Sequence, residues 1–384
     1  MSTSVDQQPP RATEEPPPRG GPAELGHGSV KTLLLGAVGL IITVYLMVTA
    51  FQAIVIYEMS KPLQGGIAIL AGVGGAAALF YFLNKTVEGL PQRAEGRLKP
   101  YIFVLPAIAF IGLFLIYPTV LTVVYSFAND DTTAWVGLQN YQDVLGDPEF
   151  RETLFNNFLW ILIVPAVTVA LGLMVAVLAD KLSENWEKAS KSIIFLPMAI
   201  SFVGAATIWR FVYDIDTTQA DQIGLQNAIV TALGFDPVAW LQLETLSAND
   251  LFLMVILVWL QVGFSMVLLS AAIKSVPEET LEAARIDGAS EVQTFFRVVV
   301  PQIRGTLITV FITVLILVMK VFDVVYVMTG GDSGTNVIGL EFFLQIFQFG
   351  NNGIASAIVV LLMLAVIPVL IYQVRHFREE EATR

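Results

Sequence analysis

The chain contains no cysteine among its 384 residues. That excludes disulfide staples, thiol catalysis and zinc–thiolate sites. Histidine is nearly missing as well. His27 and His376 both lie in the tails, so no histidine-based catalytic site forms inside a membrane. Charge is scarce, 14% of residues where a soluble domain carries about 25%. The net charge of -12 is acidic, and no basic stripe marks a nucleic-acid surface. No G-x-x-x-x-G-K-[ST] sequence occurs, so this polypeptide carries no phosphate-binding P-loop. The clustered acids or metal ligands of a membrane enzyme are also lacking. The chain therefore reads as a non-enzyme with no cofactor or metal of its own.

What the sequence does hold is apolar length. Hydrophobic residues make up 55% of it, in blocks of about 20, the length that crosses a bilayer as a helix. The blocks are approximately Thr32–Tyr57, Gly65–Leu83, Tyr101–Phe127, Phe158–Leu182, Ile193–Tyr213, Leu251–Ile273, Thr306–Met328 and Ile354–Val374. They predict an all-α polytopic membrane protein with about eight transmembrane helices, since a chain in lipid must satisfy its backbone polar groups internally. A membrane β-barrel would need alternating segments of about 10 residues, which are absent. Residues 1–29, rich in Pro, Gly and Glu, read as a disordered tail rather than a signal peptide. The glycines of "GGIAILAGVGG" (65–75) lack the context of a nucleotide loop and read as small residues for close helix packing.

Basic residues orient the spans. With the N-terminus cytoplasmic, inside loops carry Lys85, Arg93, Arg97, Lys99, Lys181, Lys188, Lys191, Lys274, Arg285, Arg297, Arg304, Arg375 and Arg378. Outside loops carry Lys61 and Arg151 alone. The outside loops are acidic, with Asp130, Asp131, Asp143, Asp147, Glu149, Asp214, Asp216, Asp221 and Asp236. The predicted topology is N-in and C-in. It divides the chain into a cytoplasmic tail 1–29, two N-terminal helices in 30–99, a core 100–375 and a cytoplasmic tail 376–384.

Inside the core, residues 275–302 form a cytoplasmic unit with more local structure than a turn needs. Ser275 to Glu278 reads as a capping box. A helix follows through "EETLEAARI" to Asp287, and Gly288 closes it in the left-handed conformation. Ser290 and Gln293 form a second capping box. A second helix then places Val292, Phe295, Phe296 and Val299 on one face, and Pro301 marks the step to the next span. Two readings are open on the residues alone, an interfacial elbow and a docking lever for a soluble partner.

The spacing Glu282-Ala283-Ala284, Gly288, Val298, Val300-Pro301 resembles the EAA loop of binding-protein-dependent ABC import permeases, with Val at two places where the family has Ile and Leu. "WVGLQNYQDVL" (135–145), "KSIIFLPMAISFVGAATIWRFVYD" (191–214), "GLQNAIVTALGFDPVAWL" (224–241) and "VFDVVYVMTGGDSGTNVI" (321–338) resemble segments of sugar permeases. The C-terminal segment "FGNNGIASAIVVLLMLAVIPVLIYQVRHFREEE" is most similar to the α-glucoside, maltose type. The two N-terminal helices fit an eight-span subunit of that type. The very large external domain of the enteric maltose permease is missing.

The resemblance implies the type I ABC importer permease fold in a prokaryotic plasma membrane. It implies a second permease subunit, an ABC ATPase dimer that binds the ATP, an extracytoplasmic solute-binding protein and α-glucosides such as maltose or trehalose. The ATPase-coupling residues would be Glu282, Ala283, Ala284, Arg285, Asp287, Gly288 and Pro301. Glu282 would face a basic residue of the ATPase, and Arg285 and Asp287 would make polar contacts.

Sugar sites combine polar groups with aromatic faces. Within the spans, Trp209, Tyr213, Trp259, Gln261, Gly263, Ser265, Asp323 and Tyr326 are candidates for the substrate path, Gln261 foremost because a midspan amide is costly without a partner. Each has an ordinary alternative, an interfacial aromatic belt or a bridge between helices. Lys320 and Asp323, three residues apart, are expected on one face of one helix as a charge pair. An ion-coupled secondary transporter is the competing function. It predicts interrupted helices and midspan acids in matched halves, and the sequence shows neither.

Overall fold

The computed structural model describes residues 29–57, 59–216 and 222–383. The predicted N-terminal tail, apart from Ser29, and Asp221 lie outside the described residues. The chain divides into two units, Met1–Pro118 and Thr119–Arg384.

In the first unit α1 (Val30–Ile56) starts at Ser29, whose hydroxyl accepts from the Thr32 N–H at 3.4 Å. Helices α2 (Lys61–Ile69) and α3 (Gly75–Glu88) join through a wide turn, Leu70–Gly74, into one apolar element. Helix α1 packs on α3 at glycines. A Cβ on Gly36 would sit 2.3 Å from the Thr86 nitrogen, and one on Gly89 would sit 2.3 Å from that of Leu33. In the glycine-rich stretch, a Cβ on Gly75 would lie 2.6 Å from the Met47 side chain of α1. A Cβ on Gly65, Gly66, Gly72 or Gly74 would meet nothing within 4 Å. Helices α4 (Gln92–Ile111) and α5 (Tyr117–Tyr125) continue through a second wide turn, Gly112–Ile116. The boundary between the units falls within this element.

The second unit is organised around two long helices. After α6 (Gln139–Gly146), α7 (Pro148–Asp180) begins with proline in its first turn and Asp147 as N-cap, accepting from the Glu149 N–H at 3.0 Å. Next come α8 (Glu184–Phe195), α9 (Phe202–Val212), α10 (Leu225–Ala232) and α11 (Ala248–Lys274). The pair α7 and α11 forms the core, with Trp160, Leu253, Leu257, Leu260, Met266 and Leu269 all buried. Their backbones approach because Gly172 faces Ser265. A Cβ there would lie 2.4 Å from the serine hydroxyl.

Beyond α11 come α12 (Glu278–Ile286), α13 (Glu291–Thr294), α14 (Val300–Gln302) and α15 (Arg304–Val318). The chain closes with α16 (Asp323–Met328), α17 (Ile338–Phe343) and α18 (Asn352–Thr383). Helix α18 runs past the expected span end at Val374 to Thr383, so 376–383 continues the helix. Among the described residues, six elements are long and apolar enough to cross a membrane, or up to eight if each bent pair is one span.

Two predicted spans are not continuous. The block Ile193–Tyr213 bends by 103° between the elements Glu184–Ala199 and Phe202–Val212. Pro197 lies in a tight turn over Leu196–Ala199, and Ser201 leaves helical geometry to cap α9, accepting from the Gly204 N–H at 3.1 Å. The block Thr306–Met328 is interrupted after α15, and Phe322 has φ -150° and ψ -57°. Lys320 and Asp323 are therefore not on one face of one helix, and among the described residues no ion pair joins them. Neither Pro nor Gly marks this break. A distant glycine makes room for it, since a Cβ on Gly339 would sit 2.7 Å from the Val321 carbonyl oxygen.

Candidate functional site

The 275–302 unit is an elbow between α11 and α15. Helix α12 ends in a Schellman closure. Gly288 takes φ +80°, its N–H donates to the Arg285 carbonyl, and the Ala289 N–H donates to that of Ala284, both at 3.0 Å. The capping box at Ser290 forms in both directions. Its hydroxyl accepts from the Gln293 N–H at 3.3 Å, and the Gln293 Oε1 accepts from the Ser290 N–H at 2.9 Å.

The first box, at Ser275, does not form. Ser275 closes α11 in right-handed helical geometry and donates its hydroxyl back to the Ala272 carbonyl at 2.7 Å. A residue still in helical geometry cannot act as N-cap, and Pro277 takes that position. The second helix also departs from expectation. Helix α13 is four residues long and opens into a wide turn, Phe295–Val299. The extra residue per turn rotates the apolar face. Val299 is buried and Phe295 half-buried, whereas Val292 and Phe296 are 66% and 63% exposed.

Val276, Val299 and Ile303 anchor the elbow, packed with Leu281 and Phe295 against Leu173, Ile273 and Leu307. Lys181 at the end of α7 pairs with Glu291 at 3.1 Å. Glu282, Ala283, Arg285, Asp287, Gly288 and Pro301 are exposed, Ala284 is half-buried, and Ile286 beside them is 86% exposed. The anchored face and the presented face are thus separate.

A hollow of about 510 Å³ lies where the two interruptions converge. Ser201 and Phe202 line it from the first break, Gln261 and Phe264 from α11, Thr313 and Leu317 from α15, and Asp323 from the second break. Gln261 is thirteen residues from either end of α11, about 20 Å each way. It is 6% exposed, and its amide has no hydrogen-bond partner among the described residues. The hollow is mostly apolar with a few convergent polar groups, the composition of a small-molecule site.

The remaining path candidates lie elsewhere. Trp209, Tyr213 and Trp259 belong to an aromatic cluster with Phe252. The Trp209 ring is 5.2 Å from Tyr213 and 5.8 Å from Trp259, and the Tyr213 hydroxyl donates to the Phe252 carbonyl at 2.8 Å. Gly263 and Ser265 sit at helix contacts; a Cβ on Gly263 would lie 2.4 Å from the Ile194 carbonyl oxygen. Tyr326 stacks on Phe322 at 5.2 Å.

Sequence reasoning missed Ser201, Phe202 and Thr313, and also the polar pins of the TGG loop. That loop holds Gly330, Gly331 and Gly334 at positive φ. Asn156 donates to the Gly334 carbonyl at 2.6 Å and Asn249 to that of Ser333 at 2.6 Å, while the Asn157 Oδ1 accepts from the Ile338 N–H at 2.6 Å. The available signal was asparagine near the start of two apolar helices, where unpaired polar groups are costly.

Such a fold, with an exposed elbow hung between helices that line a mid-depth hollow, is that of an ABC importer's membrane subunit. A chain of a bacterial ABC transporter involved in the import of the acidic polysaccharide alginate aligns with TM-score 0.64 at 21% identity, covering 75% of this chain and 99% of that one. Residues 168–378 match the model of the binding-protein-dependent transport system inner membrane component, and the chain belongs to that family.

Among relatives, an alpha-glucoside transport system permease protein, AglF of Rhizobium meliloti, is 43% identical over 84% of this chain and 99% of its own length. An osmoprotective compounds uptake permease protein, GgtC of Synechocystis, is 48% identical over 74% of this chain and 100% of its own. A trehalose/maltose transport system permease protein, MalF of Thermococcus litoralis, is 31% identical over 73% and 94%. The chain is thus a multi-pass permease subunit. Interrupted helices, expected of an ion-coupled secondary transporter, occur here within an ABC importer fold.

Proposed function

We propose that this chain is the membrane-spanning permease subunit of an ATP-driven sugar importer, taking α-glucosides such as maltose or trehalose from an extracytoplasmic solute-binding protein. The carrying observation is the linkage of the elbow to the hollow. Residues 275–303 connect α11 with α15, and both helices line the hollow. A partner that shifts the elbow thereby acts on the walls of the path. Glu282, Arg285 and Asp287 offer exposed charges to an ATPase dimer that binds the ATP, and Ile286 offers an apolar contact. Exposed carriers of both charge signs suit a specific, steered contact.

In the hollow, Gln261, Ser201, Thr313 and Asp323 supply hydrogen-bonding groups for sugar hydroxyls, with Phe202 and Phe264 as apolar wall. A second permease subunit would close the open side of the path. The α-glucoside assignment is supported by the AglF and MalF relatives. The Lys and Arg asymmetry supports N-in, C-in placement in a prokaryotic plasma membrane.

The test is reconstitution with the partner permease, ATPase and binding protein in proteoliposomes. ATP hydrolysis stimulated by loaded binding protein, together with uptake of an α-glucoside, is expected. Uptake driven by an ion gradient without ATP would overturn the reading.

A further inference from the structure

A half-buried cluster of charge at the inner base of the second unit has no part in either site described above. Lys191 on α8 donates to Asp180 at the end of α7 (2.9 Å), to Glu187 on α8 (2.5 Å) and to the Ser270 hydroxyl of α11. Ser270 in turn donates to Asp180 at 2.9 Å. Lys274, the last residue of α11, pairs with Glu187 and lies 3.7 Å from Asp180. The side chains of Lys191, Asp180 and Glu187 are 18%, 17% and 15% exposed.

The ammonium of Lys191 thus spends its three donors on three acceptors, and two cations balance two carboxylates. An apolar contact would hold three helices together as well as a partly buried ion pair, often better. What the ionic cluster adds is a directional linkage with discrete made and broken states.

Its position says what it links. Only Ser275, Val276 and Pro277 separate Lys274 from α12 of the elbow. On its other side, α7 is tied to the elbow by Lys181 and Glu291, next to Asp180. Helix α8 is gripped a second time at Gly263, where α11 meets the Ile194 carbonyl. From Lys191 the chain runs nine residues, about 14 Å, to the break at Ile200 and Ser201, which lines the hollow.

We infer that Lys191, held by Asp180, Glu187 and Ser270 while Lys274 pairs with the same two carboxylates, is a positioning residue that makes the broken α8–α9 element follow the elbow, so that movement at the ATPase contact reaches the hollow. The inference rests on the transport reading proposed above.

The test exploits the cysteine-free chain. Spin labels at Trp186→Cys on α8 and Ile286→Cys on the elbow report their separation in full-length permease in lipid nanodiscs. The parent and Lys191→Arg are expected to give one narrow distance distribution, and Lys191→Met a broadened one with a second population. Ser270→Ala, which removes no charge, should broaden it partially and covers the case in which Lys191→Met does not fold. An unchanged narrow distribution in Lys191→Met, or in Ser270→Ala if Lys191→Met does not fold, would overturn the inference.

In the reconstituted importer, Lys191→Met should lower sugar moved per ATP hydrolysed about tenfold, with ATPase capture retained and Lys191→Arg restoring the ratio. Equal loss of both activities would mark a merely structural role and also overturn it. Should the parent complex move no α-glucoside, the proposed function fails while the spin-label distances still decide the linkage.

Discussion

The elbow and the hollow are made by different means. Backbone conformation and neighbours within a few residues build most of the elbow. Gly288 closes α12 through the Arg285 and Ala284 carbonyls, and Ser290 and Gln293 cap each other. The hollow contains almost nothing local. Ser201, Gln261, Thr313 and Asp323 come from four elements, assembled by two helix interruptions and by glycines that let backbones touch. A site made locally tolerates change elsewhere in the fold; a site made by packing does not.

The sharpest way to break this comparison is charge inversion on the elbow. Glu282→Lys should abolish capture of the ATPase in co-purification, a loss of about 2 kcal/mol or more, while membrane insertion is retained. Unchanged co-purification would remove the elbow from its role. Next in size is Gly263→Val. Its side chain would collide with the Ile194 carbonyl, and overpacking of this kind costs about 1–3 kcal/mol. Thermal unfolding in detergent should show a lowered midpoint, and loss of transport should follow even though the elbow is untouched.

A smaller effect is expected of Gln261→Ala. Losing one hydrogen bond to sugar costs about 1 kcal/mol, read as a severalfold weaker apparent affinity in uptake with ATPase capture unchanged. A matching loss of ATPase capture would show that hollow and elbow are not separable.

The smallest expected effect distinguishes the two caps. Ser290→Ala should cost up to about 1 kcal/mol and speed amide exchange at Gln293. Ser275→Ala should stay within about 0.5 kcal/mol, because Ser275 closes α11 through its backbone and its side chain is not the N-cap of α12. Equal effects would restore the symmetric two-box picture.

Much of this was legible beforehand because it depends on composition and short spacing. The apolar blocks are helices, Gly288 is left-handed, and the Ser290 box is formed. Other features were not. The Phe295–Val299 wide turn has no residue that announces it, so regular 3.6-residue spacing puts Val292 and Phe296 on the wrong face. Lys320 and Asp323 read as helical neighbours because three-residue spacing means proximity only if the helix continues. The hollow was legible in Gln261, an amide at mid-depth, but not in Ser201 or Thr313, residues that sit in membrane helices for many reasons.

By itself the sequence determined that this chain crosses a membrane as helices, which loops carry the basic residues, and where two helices turn at a glycine corner. Those follow from transfer of apolar side chains and from backbone sterics, which act within a turn or two. Tertiary structure alone decided where spans break and which polar groups share a hollow. A break needs a place for the carbonyls it frees and the side chains it turns, and here that place is supplied across the fold, by Gly339 beside Val321 and by α11 against α8.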